Sequence, residues 1–187
     1  RGMRLGLDQG EIVSLVGASG CGKSTLLSIV AGLDGAYRGA VRLDGRPLNG
    51  PDADIGLVFQ APRLFPWLTV AQNVVFGAGA KPNLERAQAL LAEVGLKGYG
   101  DALPKQLSGG QAQRAAIARG LYLEPQVLLL DEPFSAVDAF TRMRLQDLLA
   151  EAARQRGLTV LLVTHDIDEA IYLSDRVVLM DGVPGPV

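Results

Sequence analysis

The chain has 187 residues, 48% of them hydrophobic and 20% charged, and its 18 basic and 20 acidic residues leave a formal charge of −2. This is the composition of one globular domain with a sizeable core; it excludes a disordered chain and lacks the basic stripe that would point to nucleic acid or lipid headgroups. Apolar runs such as Val127–Leu130 and Val160–Val163 fall far short of the roughly 20 residues that cross a bilayer, and the single cysteine, Cys21, excludes an internal disulfide or a cysteine-based zinc site. No signal-like stretch opens the chain, so the expected compartment is the cytoplasm, with any membrane role exercised through a partner.

The first element is a predicted strand, Ile12–Val16, followed at once by "GASGCGKST" and the helical "STLLSIVAGL". The stretch Gly17, Ala18, Ser19, Gly20, Cys21, Gly22, Lys23, Ser24 and Thr25 is G-x-x-x-x-G-K-[ST] in a strand-loop-helix setting. Its glycines let backbone N–H groups turn toward phosphate oxygens, and the helix N-terminus adds partial positive charge. Lys23 then pairs with the β- and γ-phosphates and the Ser24 hydroxyl ligates Mg²⁺. The competing reading is a glycine-rich turn that ends in a solvated lysine.

A second strand is predicted over Ile55–Phe59. From Ala61 to Gln106 the pattern turns to helix without strand, and "LERAQALLAEVGL" forms one amphipathic helix ended by Gly95. Residues 61–106 are therefore expected to be a small helical subdomain inserted into an α/β core made of residues 1–60 and 107–187. "LSGGQAQR" follows, in which Ser108-x-x-Gln111 is a capping box. Its hydroxyl and the glycines Gly109 and Gly110 also make the helix entry a second anion site, with free N–H groups aimed outward.

The strand Val127–Leu130 ends in Asp131 and Glu132. Carboxylates there meet the phosphate loop at the C-terminal edge of a parallel sheet, where Asp131 suits a Mg²⁺ partner through water and Glu132 can orient or deprotonate an attacking water. Two merely solvated acids are the alternative. A helix begins near Asp138, its N-cap, with Leu145, Leu148, Leu149 and Ala152 on one apolar face. The strand Thr159–Val163 leads to His165, the one histidine, and Asp166-x-x-Glu169 reads as a capping box that starts a helix right after it. Arg176–Met180 is the last predicted strand. These runs are continuously apolar rather than alternating, as buried parallel strands are, and their alternation with helices predicts an α/β fold with a largely parallel sheet.

In this order the phosphate loop, Phe59-Gln60, "LSGGQ", "LLLDEP", "SAVD" and Thr164-His165 resemble the ATP-binding cassette (ABC) ATPases, the nucleotide-hydrolysing subunits of ABC transporters, over nearly the whole chain. The resemblance implies a P-loop NTPase that uses ATP and Mg²⁺ and pairs head to tail with a second ATPase subunit, expected to be an identical copy. Ser108, Gly109, Gly110 and Gln111 would then cover the ATP held by the partner's phosphate loop. It further implies that His165 bonds the γ-phosphate and the water positioned by Glu132. Gln60 would join Mg²⁺ to the helical subdomain, and Asp138 would belong to the interface loop. Glu132, His165, Gln60 and Lys23 are thus the expected catalytic set, and Ser24, Gln60 and Asp131 the expected metal set.

"PRLFPWLTVAQNVVFG" and "DEPFSAVDAFTRMRLQDLL" look like the importer branch that serves nitrate, sulfonate and taurine uptake. On that likeness the solute is a small anion or a sulfonate-like compound. A membrane permease docks beside Phe65 and Trp67, whose alternative role is core packing, and the subunit sits on the inner face of the cell membrane without touching nucleic acid. Against the family pattern, the aromatic that stacks on adenine would lie in a strand upstream of Arg1 and further chain would follow Val187, so a chain cut at both ends is expected. The rivals are an ABC ATPase acting on nucleic acid or translation, a P-loop kinase, which leaves "LSGGQ" and His165 unexplained, and a non-catalytic module, for which a lost Lys23 or Glu132 is expected.

Overall fold

The structure, a computed structural model, describes residues 3–79 and 82–180. The expectation of a chain cut at both ends concerns sequence before Arg1 and after Val187 and lies outside the described residues.

Five strands form one parallel sheet: β1 (Ile12–Gly17), β4 (Ile55–Val58), β5 (Val127–Asp131), β6 (Thr159–Thr164) and β7 (Arg176–Met180), in the order β4-β5-β6-β1-β7. Odd-numbered side chains Val13, Leu15, Leu129, Leu161 and Val163 pack with Leu27 and Ala31 beside α1 (Lys23–Val30). Even-numbered Ile12, Leu128, Leu130, Val160 and Leu162 pack on the other face with α4 (Gly109–Tyr122) and α5 (Ala139–Arg156). Burial on both faces is why these strands read as unbroken apolar runs. β7 departs from that expectation: as a sheet edge it leaves Val177 43% and Leu179 71% exposed.

An unpredicted hairpin joins β2 (Arg42–Leu43) and β3 (Arg46–Pro47), whose two-residue strands are too short to show a period. Its signal was the dipeptide Asp44-Gly45, with φ of 49° and 77°, the left-handed pair that a tight hairpin turn takes.

Between β4 and β5 lie α2 (Val70–Val74), α3 (Leu84–Glu93), a 3₁₀ turn at Pro104–Gln106, and α4. The predicted helix, expected to stop at Gly95, runs Leu84–Glu93, with Gly95 in the left-handed region. α4 organises this region through polar side chains. Arg114 Nη1 donates to the Val94 and Gly95 carbonyls at the end of α3, Gln113 Nε2 donates to Phe59 O at 3.1 Å, and Arg119 donates to the Pro62 and Arg63 carbonyls at 2.9 Å. The chain on both sides of Gln60 is therefore pinned to α4.

Asn73 of α2 is fully buried. Its Oδ1 accepts from Phe65 N at 2.7 Å, and its Nδ2 faces the carbonyls of Phe65, Leu68 and Thr69 at 3.0–3.1 Å. Asn73→Ala strands these backbone groups away from water, so it is expected to destabilise the fold by about 2–4 kcal/mol. A denaturant midpoint lowered at constant slope checks this, and an unchanged midpoint would show the loop to be held by other means.

Candidate nucleotide site

The sheet register gathers the candidate residues at one edge. Val58 pairs with Leu130, Leu130 with Leu162, Asp131 with Val163, and Val16 with Thr164. The residues just beyond these positions are Gln60, Asp131-Glu132, His165 and the loop that starts at Gly17, all at the C-terminal ends of parallel strands. A cleft of about 240 Å³ at the opposite edge, bordered by Leu121, Pro125, Arg156 and Leu158, contains none of them.

The loop after β1 turns through Gly20 and Gly22 into α1. Gly22 is the N-cap of α1 at φ 98°, a backbone conformation closed to most side chains. Lys23 is 7% exposed, and its Nζ donates to Gly17 O at 2.8 Å, to Ala18 O at 2.9 Å and to Cys21 Sγ at 3.6 Å. The ammonium is thus drawn into the mouth of the loop, where phosphate oxygens would have to replace the two carbonyls. Ser24 Oγ, on the first turn of α1, donates to Asp131 Oδ1 at 3.1 Å. Burial pushes the Asp131 carboxyl up, the Ser24 bond works against this, and the neighbouring Glu132 charge raises it further while Lys23 lowers it.

One oxygen of Glu132 is the meeting point of the site. Its Oε2 accepts from Gln60 Nε2 at 3.1 Å and lies 3.3 Å from His165 Nδ1. The Glu132 backbone sits at φ 45°, unusual outside glycine, and its N–H donates to Val163 O at 2.9 Å. Strained non-glycine backbone gathers at functional sites, and nothing in the sequence announced this one. The His165 side chain is 68% exposed, with the Glu132 carboxylate its one polar side-chain contact among the described residues.

Ser108 caps α4 as expected. Gln111 N donates to Ser108 Oγ at 3.2 Å and Ser108 N to Gln111 Oε1 at 2.8 Å. Ser108 and Gly109 are exposed, and a Cβ at Gly110 would stand 2.8 Å from Ala136 O, so only glycine lets this helix end lie so close to the loop after Glu132. Among the described residues no hydrogen bond or ion pair joins Ser108–Gln111 to residues 17–25; the two candidate anion sites of one chain share no such contact. Asp138 is the N-cap of α5, and its hydrogen bonds from Thr141 hold its carboxyl below the usual range.

The expected box at Asp166 forms only by half. Asp166 Oδ1 accepts from Glu169 N at 3.1 Å, but the Glu169 carboxylate turns inward to Gln146 Nε2 at 3.4 Å, where burial raises it, and Asp166 N donates instead to Thr164 Oγ1 at 3.1 Å. The inward space left by helix packing against β6 wins over the local reciprocal bond. Trp67 is 72% exposed, so core packing is not its role. Half-buried Phe65 lies between Trp67 and Phe76, ring centroids 5.6 and 4.2 Å away.

Around a triphosphate these groups supply a positive loop mouth, a hydroxyl–carboxylate pair suited to a hard cation, and a carboxylate backed by an amide and an imidazole. Ser24 and Asp131 fit Mg²⁺ as a cation that takes most of its ligands from phosphate and water, since no cluster of three or more His, Cys, Asp or Glu occurs among the described residues. Cys21 sits half-buried inside the loop. Its alkylation is expected to block nucleotide binding, and saturating Mg-ATP is expected to slow its labelling; equal labelling rates with and without nucleotide would show that the loop does not wrap phosphate.

A family model described as ABC transporter matches residues 1–135. The aliphatic sulfonates import ATP-binding protein SsuB 1 of Xanthomonas axonopodis pv. citri (strain 306) is 62% identical over 193 residues, spanning 100% of this chain and 77% of that protein. The same figures for identity and coverage hold over 192 residues for the protein of that name from Pseudomonas aeruginosa (strain UCBPP-PA14). Among solved structures, the dimeric post-hydrolysis state of the ATP-binding cassette MJ0796 bound to ADP and Pi superposes with a TM-score of 0.86 at 35% identity, over 97% of this chain and 89% of that one. The cbiO1 protein of Clostridium perfringens, part of the complex cbiONQ, gives 0.83 at 33% identity, over 96% of this chain and 77% of that one.

Proposed function

The chain belongs to the ABC transporter family, and on that footing we propose that it is the ATP-hydrolysing subunit of an importer for aliphatic sulfonates or related small anions. The family and the importer names of the relatives support transport over a role on nucleic acid. The observation that carries hydrolysis is the convergence of Gln60 and His165 on Glu132 Oε2, beside the Ser24–Asp131 pair and the phosphate loop.

In this reading Gly17–Thr25 cradle the phosphates and Lys23 exchanges its loop carbonyls for β- and γ-phosphate oxygens. Ser24, Asp131 and Gln60 would hold Mg²⁺, which when bound neutralises charge on the phosphate oxygens. Glu132 orients the attacking water and takes up its proton, and the bond from Gln60 Nε2 fixes the direction of its carboxylate. His165 donates toward the γ-phosphate as negative charge develops there. Ser108, Gly109, Gly110 and Gln111 cover the nucleotide on a second copy of the chain, since they do not reach their own phosphate loop. Asp138 lies in the loop between the copies.

The exposed Trp67, backed by Phe65, is the contact for the permease, which holds the subunit at the cytoplasmic face of the membrane. The division into an α/β core of 1–60 and 107–187 and a helical subdomain of 61–106 belongs to the same proposal; it places Gln60 at the boundary next to the subdomain that carries the permease contact. Deleting the gene in its host is expected to abolish uptake of a labelled alkanesulfonate while sulfate uptake persists. Sulfonate uptake that survives the deletion, with no second such system in the host, would overturn the importer assignment.

A further inference from the structure

Among the described residues His165 has no polar side-chain anchor beyond the carboxylate it serves, so its aim is set by the backbone on either side. On one side Thr164 is 2% exposed at the end of β6. On the other side Asp166 is held from three directions: its N–H donates to Thr164 Oγ1 at 3.1 Å, its Oδ1 accepts from Glu169 N at 3.1 Å, and its Oδ2 accepts from Arg142 Nη1 at 3.2 Å. The first two bonds are local to the start of α6 (Ile167–Leu173), whereas the third comes from α5, 24 residues earlier in the chain.

Arg142 stands on the first turn of α5. Its backbone N–H donates to Asp138 O at 2.8 Å, and its Nη2 lies 3.5 Å from Val137 O. One guanidinium therefore reaches both the segment that runs from Glu132 to Asp138 and the residue after His165. It also borders the small cleft, about 120 Å³, that Glu132, Thr164, His165 and Glu169 line. Partly exposed ion pairs add little stability in water, so the consequence of this one is geometric.

We propose that Arg142 and Asp166 are positioning residues that clamp His165 against Glu132 and tie its aim to the loop that ends at Asp138. The clamp rests on the ATPase reading above. A shift of the Val137–Asp138 loop, as when a second copy docks on it, pulls Arg142 and through Asp166 moves the imidazole, so that the water site is complete only when the loop is seated. Neither residue touches the reacting atoms.

The test uses Asp166→Asn, because asparagine caps a helix about as well as aspartate and keeps an oxygen for the Glu169 N–H while removing the charge that Arg142 grips. Arg142→Lys is the second variant, retaining charge without the two-pronged reach. In each, kcat for Mg-ATP hydrolysis is expected to fall about ten- to a hundredfold with KM within about threefold, as expected when a catalytic group is misplaced rather than lost. The chain has one histidine, so its imidazole resonance can be assigned without ambiguity. That resonance is expected to move in both variants while the melting temperature stays near that of the wild type. Folded variants with wild-type kcat and an unmoved imidazole would overturn the clamp, and so would a lowered kcat with the imidazole unmoved. A wild type that fails to hydrolyse ATP would instead count against the ATPase reading, and the imidazole resonance would still decide the clamp.

Discussion

Glu132→Gln is expected to bind Mg-ATP with near wild-type affinity and to turn it over at least about a hundredfold more slowly, the range that removal of a general base commonly costs. The amide has the shape of the carboxylate, and its oxygen can take the place of Oε2, accepting from Gln60 Nε2 and facing His165 Nδ1. The variant therefore keeps the site's geometry and loses its base. Phosphate release under saturating ATP, set beside calorimetric affinity, measures the two effects separately. A rate within a few-fold of the wild type would remove Glu132 from the chemistry and leave its strained backbone at φ 45° without a functional reason.

His165→Ala is the second large effect. Its side chain is 68% exposed and packs no core, so truncation is expected to change folding stability by no more than about 0.5 kcal/mol. The rate is a different matter. A donor aimed at developing charge is worth about a hundredfold or more in a preorganised site, so single-turnover hydrolysis should fall by that order while ATP affinity shifts by less than about threefold. Equal losses in affinity and rate would make His165 a ground-state contact, and unchanged values for both would make it an exposed residue with no part in hydrolysis.

Much of this site was legible before the structure because its parts are local. The phosphate loop declares itself through glycine spacing between a strand and a helix, and Ser108 with Gln111 through a four-residue box that forms as written. β1, β5 and β6 show because each of them is buried on two faces. β7 looked the same and is not, since sequence cannot tell an edge from a centre; only the order β4-β5-β6-β1-β7 does. Asp166-x-x-Glu169 has the letters of a box, yet Glu169 is drawn to Gln146 because the interior offers it a buried partner.

What no local pattern carries is the bond between Gln60 and Glu132, 72 residues apart, or the reach of Arg142 to Asp166. Both depend on α4 and α5 bringing distant loops to one sheet edge. The motif resemblance named Gln60 and Glu132 separately, and the structure adds that they share an oxygen with His165.

If ATP is enclosed only between copies, as proposed, each chain carries half of two different sites: a phosphate loop with Glu132, and a remote Ser108–Gln111. Light scattering of the Glu132→Gln variant tests this most directly, because slowed hydrolysis lets the closed state accumulate. Twice the chain mass is expected with Mg-ATP and a single chain mass with Mg-ADP. A single chain mass at saturating Mg-ATP would contradict enclosure between copies.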